Sequence, residues 1–128
     1  KACFEVEEFL CPQTKRIMAL VQEKYGNQLE YLWEKSPDTA VLRHEDNQKW
    51  YAILMRISWE KLDKGKEGEV EVVNLKNDQV AEMLTLKGIY PAFHMNKSYW
   101  ISVPLDDKLS DQQILDLIKT SWGLTRKK

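Results

Sequence analysis

Apolar positions along this chain follow two periods. Beyond Pro12, Ile17, Leu20 and Val21 recur at helical spacing, with Tyr25 near the end and Gly26-Asn27 as a stop. The pattern predicts a first helix that begins at the proline, a favoured first helical residue. Two strand-like runs follow, "TAVLRHE" and "QKWYAILMRI", flanking Asp46-Asn47, and "EVEVVNL" makes a third. Asn77 or Asp78 is placed to cap a second helix in which Val80, Met83 and Leu84 share a face and which Gly88 ends. "PAFHMNKSYWISV" predicts a second hairpin. Ser110 and Gln113 have the spacing of a capping box ahead of a third helix, with Ile114, Leu117 and Ile118 inward, then Trp122 and a stop at Gly123. The order is helix, three strands, helix, two strands, helix: an α+β chain with an antiparallel sheet and its helices on one face. The other face is where function could sit.

Register decides what that face carries. A two-residue turn at Asp46-Asn47 pairs Glu45 with Gln48, which puts Ala40, Leu42, Tyr51, Ile53, Met55 and Ile57 toward the helices. Val41, Arg43, Trp50, Ala52 and Leu54 then face away, with Arg43 directly across from Trp50 as a cation–indole pair. In the second hairpin a three-residue loop, Asn96-Lys97-Ser98, gathers Phe93, Met95, Tyr99, Ile101 and Val103 on the helix side. His94 and Trp100 then lie opposite each other on the outer face, beside Ser102. Both hairpins thus put a cation or imidazole next to a tryptophan, a surface suited to stacking on bases or to docking another protein. The outer tryptophans could instead be covered by "FEVEEFL" or by the loop holding Trp59. Likewise Asn96-Lys97 could be only a turn, and His94 a structural histidine.

Charge narrows the partner. The 128 residues are 43% apolar and 30% charged with a net charge of -1, which describes one globular domain. Lys1–Ala40 carries 5 basic and 7 acidic side chains, Val41–Thr85 carries 7 and 9, and Leu86–Lys128 carries 7 and 4. Only the last third is basic, so any hold on nucleic acid has to come from local clustering. The charge of "SWEKLDKGKEG" is expected to be a solvated loop, and the "TRKK" tail a solubilising end. Tyr31 and Trp33 are aromatic anchors in the connector before the first hairpin.

Cys3 and Cys11 are the only cysteines, without zinc-ligand spacing, so no metal or other cofactor is expected. Two thiols fit a reduced cytoplasm and leave a disulfide between them open. No signal peptide or membrane-spanning run is seen. The chain opens at Lys1 without a methionine, as a segment of a longer protein would. No nucleophile, phosphate-binding glycine loop or catalytic carboxylate pair stands out, and an enzyme is not expected.

"LKNDQVAEML", "GIYPAFHMNKSYWISVPLD" and "ILDLIKTSWGLT" resemble the MmcQ/YjbR family of small bacterial proteins, and "KYGNQLEYLWEKSPDTAVLRHEDNQKWYAILM" resembles the front half of one of its branches. The match runs from about Gln13 to Thr125 and is most specific at Pro91, His94, Met95, Asn96, Lys97 and Trp100. Arg43, Lys49, Trp50 and Lys76 fall on other recurring positions. The resemblance implies a two-layer α-β3-α-β2-α domain, similar to secretion chaperones, over residues 11–128, and leaves residues 1–10 outside it as an N-terminal extension with no assigned role. It also carries an expectation of DNA binding, in which Trp50 and Trp100 stack while Arg43, Lys49, Lys76 and Lys97 contact phosphates. The alternative is that the same face, with His94 and Asn96, docks a protein or a second copy of the chain.

Overall fold

The computed structural model describes residues 11–31 and 39–126. The elements follow the expected order: α1 (Pro12–Tyr25), β1 (Thr39–Arg43), β2 (Trp50–Ser58), a 3-10 turn (Trp59–Lys61), β3 (Glu69–Lys76), α2 (Val80–Met83), β4 (Tyr90–Pro91), β5 (Trp100–Pro104) and α3 (Asp111–Thr125). The five strands form one antiparallel sheet in the order β1-β2-β3-β5-β4. The N-terminal extension, Cys3, Trp33 and the last two lysines lie outside the described residues.

Helix boundaries follow local chemistry. Pro12 opens α1, and Gly26 closes it in the left-handed region at φ 76°, where a side chain would be strained. Ile17 and Val21 are buried, whereas Leu20 is 38% exposed, outside the buried stripe. The capping box of α3 is present in both directions, Ser110 Oγ accepting from the Gln113 amide and the Gln113 side chain from the Ser110 amide. Gly123 does not end α3, which runs on to Thr125. A polar anchor holds it there: Asn47 Nδ2 donates to the Thr125 carbonyl at 3.0 Å. The second helix is a single turn. Asn77 accepts the Gln79 amide at 2.7 Å ahead of it, Val80 is buried, and Leu84 is exposed beyond its end.

The first hairpin departs from the expected register. Its loop is longer than two residues: the His44 amide donates to the Lys49 carbonyl and the Gln48 amide to the His44 carbonyl, with Gln48 at φ 62°. Leu42 pairs with Ala52 and Arg43 with Trp50, so Tyr51 is the extra residue of a β-bulge. Arg43 does face Trp50, as expected. Past the bulge the sides are exchanged, and Ala52 and Leu54 join Ala40, Leu42, Val73, Leu75, Ile101 and Val103 under the helices. Ile53 and Met55 join Val41, Val70 and Val72 on the outer side, with Ile57 packed against them.

The bulge opens the β2–β3 ladder, and α3 closes the gap. Ser121 is wholly buried; its hydroxyl donates to the Tyr51 carbonyl at 2.6 Å and accepts the Lys76 amide at 2.9 Å. One side chain thereby satisfies a backbone acceptor and a backbone donor that the extra residue has separated.

Tyr51 also joins a ring cluster beneath that end of the sheet. His44 lies 5.2 Å from Tyr51 and 5.0 Å from Trp122, Tyr25 stacks on Trp122 at 5.4 Å, and the Tyr51 hydroxyl donates to Asn27 at 2.8 Å. His44 Nε2 is 2.9 Å from Thr125 Oγ1. Burial holds the His44 pKa below its ordinary 6.5, outweighing the opposing pulls of Asp46 and the Trp122 backbone. A histidine favoured as neutral in the fold contributes stability that is present above its unfolded pKa and lost as pH falls through it. Melting temperature should therefore drop from about pH 7.5 to about 5.5. In His44→Gln that drop should flatten; an unchanged slope in the variant would assign it to other groups.

Candidate functional site

The outer face is not a bare platform. Val41, Ile53, Met55, Val70 and Val72 form a second apolar cluster, covered by Trp50, Ile57, Trp59, Leu62, Phe93, Met95 and Trp100. Two covering segments come from loops. Trp59 stands edge-on to Tyr90 at 6.0 Å with the Lys66 ammonium 4.1 Å above its ring, so the charged 59–68 loop folds back instead of being only solvated.

The other covering segment follows β4. Tyr90 pairs with Ser102 and Pro91 with Ile101, and the ladder stops there. The expected three-residue hairpin loop is therefore replaced by a longer excursion. Its cause is a pair of polar side chains on the outer face. Asn74 and Ser102, opposite one another on β3 and β5, are both wholly buried. Buried polar groups need partners, and these take theirs from the loop backbone. Asn74 Nδ2 donates to the Phe93 carbonyl at 2.9 Å, Ser102 Oγ accepts the Phe93 amide at 2.9 Å, and Ser102 Oγ donates to Asn74 Oδ1. Phe93 and Met95 are thereby set against the outer cluster, a correction to their expected place under the helices. Tyr99, also expected inside, is 56% exposed. Ile101 and Val103 do lie in the helix-side core.

After this fixed point the chain turns sharply. His94 takes a left-handed backbone at φ 63°, uncommon for a residue other than glycine. Asn96 organises the turn: its side-chain oxygen accepts the Ser98 amide at 2.8 Å, and its carbonyl accepts the amides of Tyr99 and Trp100. Between this loop and the sheet lies a groove of about 390 Å3, lined by Thr39, Trp50, Ile53, Met55, Ile57, Phe93, His94 and Met95. Its walls are aromatic, aliphatic and thioether, and its one ionisable lining side chain is His94, whose ring centroid is 3.9 Å from that of Phe93.

The expected site residues distribute as follows. Arg43 opposite Trp50 and Lys76 opposite Trp100 bring two cations and two indoles to the same end of the outer face. Arg43 is bound in a two-pronged ion pair with Glu30, at 2.7 and 3.1 Å. Lys49 and Lys97 are exposed on the loops that precede Trp50 and follow Met95. Asn96 is used by its own turn. His94 shares the outer side with Trp100, placed there by the excursion and not by strand pairing. Ile53, Met55, Phe93 and Met95 had been assigned inward and prove to line the groove. Asn74, a polar residue inside the run "VEVVNLK", was the signal that the outer face needs a partner. Among the described residues no group of three or more His, Cys, Asp or Glu side chains is placed to hold a metal ion, and no helix is long and apolar enough to cross a membrane.

The YjbR family model matches residues 22–124. Protein YyaQ of Bacillus subtilis (strain 168) is 40% identical over 108 residues, 83% of this chain and 92% of YyaQ. A crystal structure of a Pseudomonas syringae protein superimposes with a TM-score of 0.84 at 43% identity, covering 88% of this chain and 97% of that one. A Deinococcus radiodurans protein with a DUF419 domain shares the fold, with a TM-score of 0.66 at 20% identity over 90% of this chain and 79% of its own.

Proposed function

Because the chain belongs to the YjbR family, we propose that it is a non-enzymatic binding module that works through the outer face of its sheet, seating an apolar group of a protein partner in the groove. The observation that carries this reading is the groove itself. Its lining is apolar apart from Thr39 and His94, and one wall is held in place by two buried polar side chains with no other evident task. Rigid apolar concavities of this kind suit docking. A lining with a single ionisable side chain offers little to acid–base or nucleophilic chemistry.

Nucleic acid is the second reading, and the paired Arg43–Trp50 and Lys76–Trp100 favour it. It is the weaker one, since the Arg43 charge is already matched by Glu30. Lys49, Lys76 and Lys97 remain as phosphate contacts, which supports only shallow, salt-sensitive binding with a slope of roughly −3.

An amide-shift titration of the isotopically labelled chain separates these readings. A short peptide rich in leucine and tryptophan should move the amides of Ile53, Met55, Phe93 and Met95. A single-stranded oligonucleotide at low salt should move only the surroundings of the three lysines. Trp50→Ala should abolish the peptide response and cost roughly 1–3 kcal/mol of stability, since Trp50 is half-buried against the outer cluster. Peptide shifts confined to the helices would overturn the proposal. A strong oligonucleotide response centred on Trp50 and Trp100 would replace it with the second reading.

A further inference from the structure

We infer that the group this groove takes is a flat aromatic carboxylate, with the ring system between Trp50 and Phe93 and the carboxylate met by the His94 imidazole; this rests on the reading of the groove as the binding site. The size fits, as about 390 Å3 lies within the roughly 300–1,000 Å3 of small-molecule sites. The walls select a flat, polarisable ring. Trp50 and Phe93 supply aromatic faces, and Met55 and Met95 supply thioethers that pack well on ring edges.

The rim selects an anion. No carboxylate lines the groove, and its side-chain nitrogen donors are the His94 imidazole and the Trp50 indole N–H. Exposed Lys49 and Lys97 stand next in sequence or nearly so to the lining residues Trp50 and Met95, and Lys76 sits opposite Trp100 at the same end of the face. The nearby carboxylate of Glu30 is matched by Arg43. Lys49, Lys76 and Lys97 thus bring three cations toward this face, in a chain whose net charge is -1.

Two features at His94 have no structural need that a simpler residue would not meet. A glycine would take φ 63° without strain. The Asn74–Ser102 clamp acts on the residue just before it, fixing the backbone from which the imidazole projects. A strained residue fixed beside a concavity is the pattern of a ligand contact.

The test uses 2-naphthoate and its neutral counterpart 2-naphthylmethanol, titrated against the whole chain by amide shifts. The acid should bind about tenfold more tightly than the alcohol, the scale of one charge-assisted hydrogen bond. Both should move Ile53, Met55 and Met95. His94→Gly keeps the left-handed backbone available, so it should fold with an unreduced melting temperature. It should bind acid and alcohol alike, at the affinity the native chain shows for the alcohol. Equal affinity of acid and alcohol for the native chain would overturn the inference and leave the groove as a docking site. Failure of both ligands while the leucine–tryptophan peptide still moves the groove amides would do the same. Failure of all three would overturn the docking reading as well.

Discussion

Replacing Asn74 with leucine is expected to destabilise the chain by about 3 kcal/mol and to dismantle the outer groove in the same step. Both results follow from one geometry. The Asn74 amide accounts for the Phe93 carbonyl, and its oxygen accepts the Ser102 hydroxyl. Leucine is close in volume but leaves both groups buried and unmatched, at about 1–3 kcal/mol each. The 93–98 loop should then lift, since Ser102 alone holds it through the Phe93 amide. Urea unfolding gives the stability, and hydrogen exchange at Ser98, Tyr99 and Trp100 reports the loop. Ser102→Ala, which strands the Phe93 amide and the Asn74 oxygen, should cost a comparable amount. A loss under about 1 kcal/mol in Asn74→Leu would mean that water replaces the clamp and that the loop is held by Phe93 and Met95 packing alone.

Ser121→Ala is expected to cost about 2–3 kcal/mol, a large effect for removing one oxygen. The hydroxyl stands between the Tyr51 carbonyl and the Lys76 amide where the bulge has parted the strands. Without it a donor and an acceptor are both stranded in a site wholly closed to solvent. Lys76 amide exchange should accelerate well beyond the global change. Full protection of that amide in the variant, with stability within about 0.5 kcal/mol of the parent, would show that the two backbone groups can meet directly.

The same bulge marks the limit of what the sequence disclosed. Helix starts and stops were legible where a single residue decides them, as at Pro12, Gly26 and the Ser110–Gln113 pair. The order of elements, the antiparallel sheet and the facing of Arg43 with Trp50 were legible too. Which side Ile53 and Met55 occupy was not. The run "WYAILM" is apolar at every position and gives period two nothing to grip, so the register rested on an assumed two-residue turn. The real loop is longer, and the extra residue Tyr51 exchanges the faces beyond it.

The excursion of Phe93 to Ser98 was hidden for a different reason. Its conformation depends on Asn74, 19 residues away from Phe93 in sequence, and no local rule connects them. His94, Trp50 and Trp100 were placed on the outer side correctly, but the apolar lining and its clamp appear only once β3 and β5 lie side by side. Gly123 failed as a stop because Thr125 is engaged by Asn47 and His44, residues of the first hairpin.

The helix that leads the described chain has its chief partners at the far end of the sequence. Gln13 donates to the Leu109 carbonyl and to Asp111, and accepts the Asp107 amide; Arg16 pairs with Asp107 and Asp111. These contacts span 91 to 98 residues of chain. During synthesis α1 therefore emerges with Ile17 and Val21 uncovered and must wait until the segment from Asp107 to Asp111 has left the ribosome before its polar latch can close. Such distant closure slows folding relative to a chain of local contacts. Helix α1 is thus expected to dock only after the segment leading into α3 has been made, and the nascent chain, more than the finished protein, is the stage at which Ile17 and Val21 invite a chaperone.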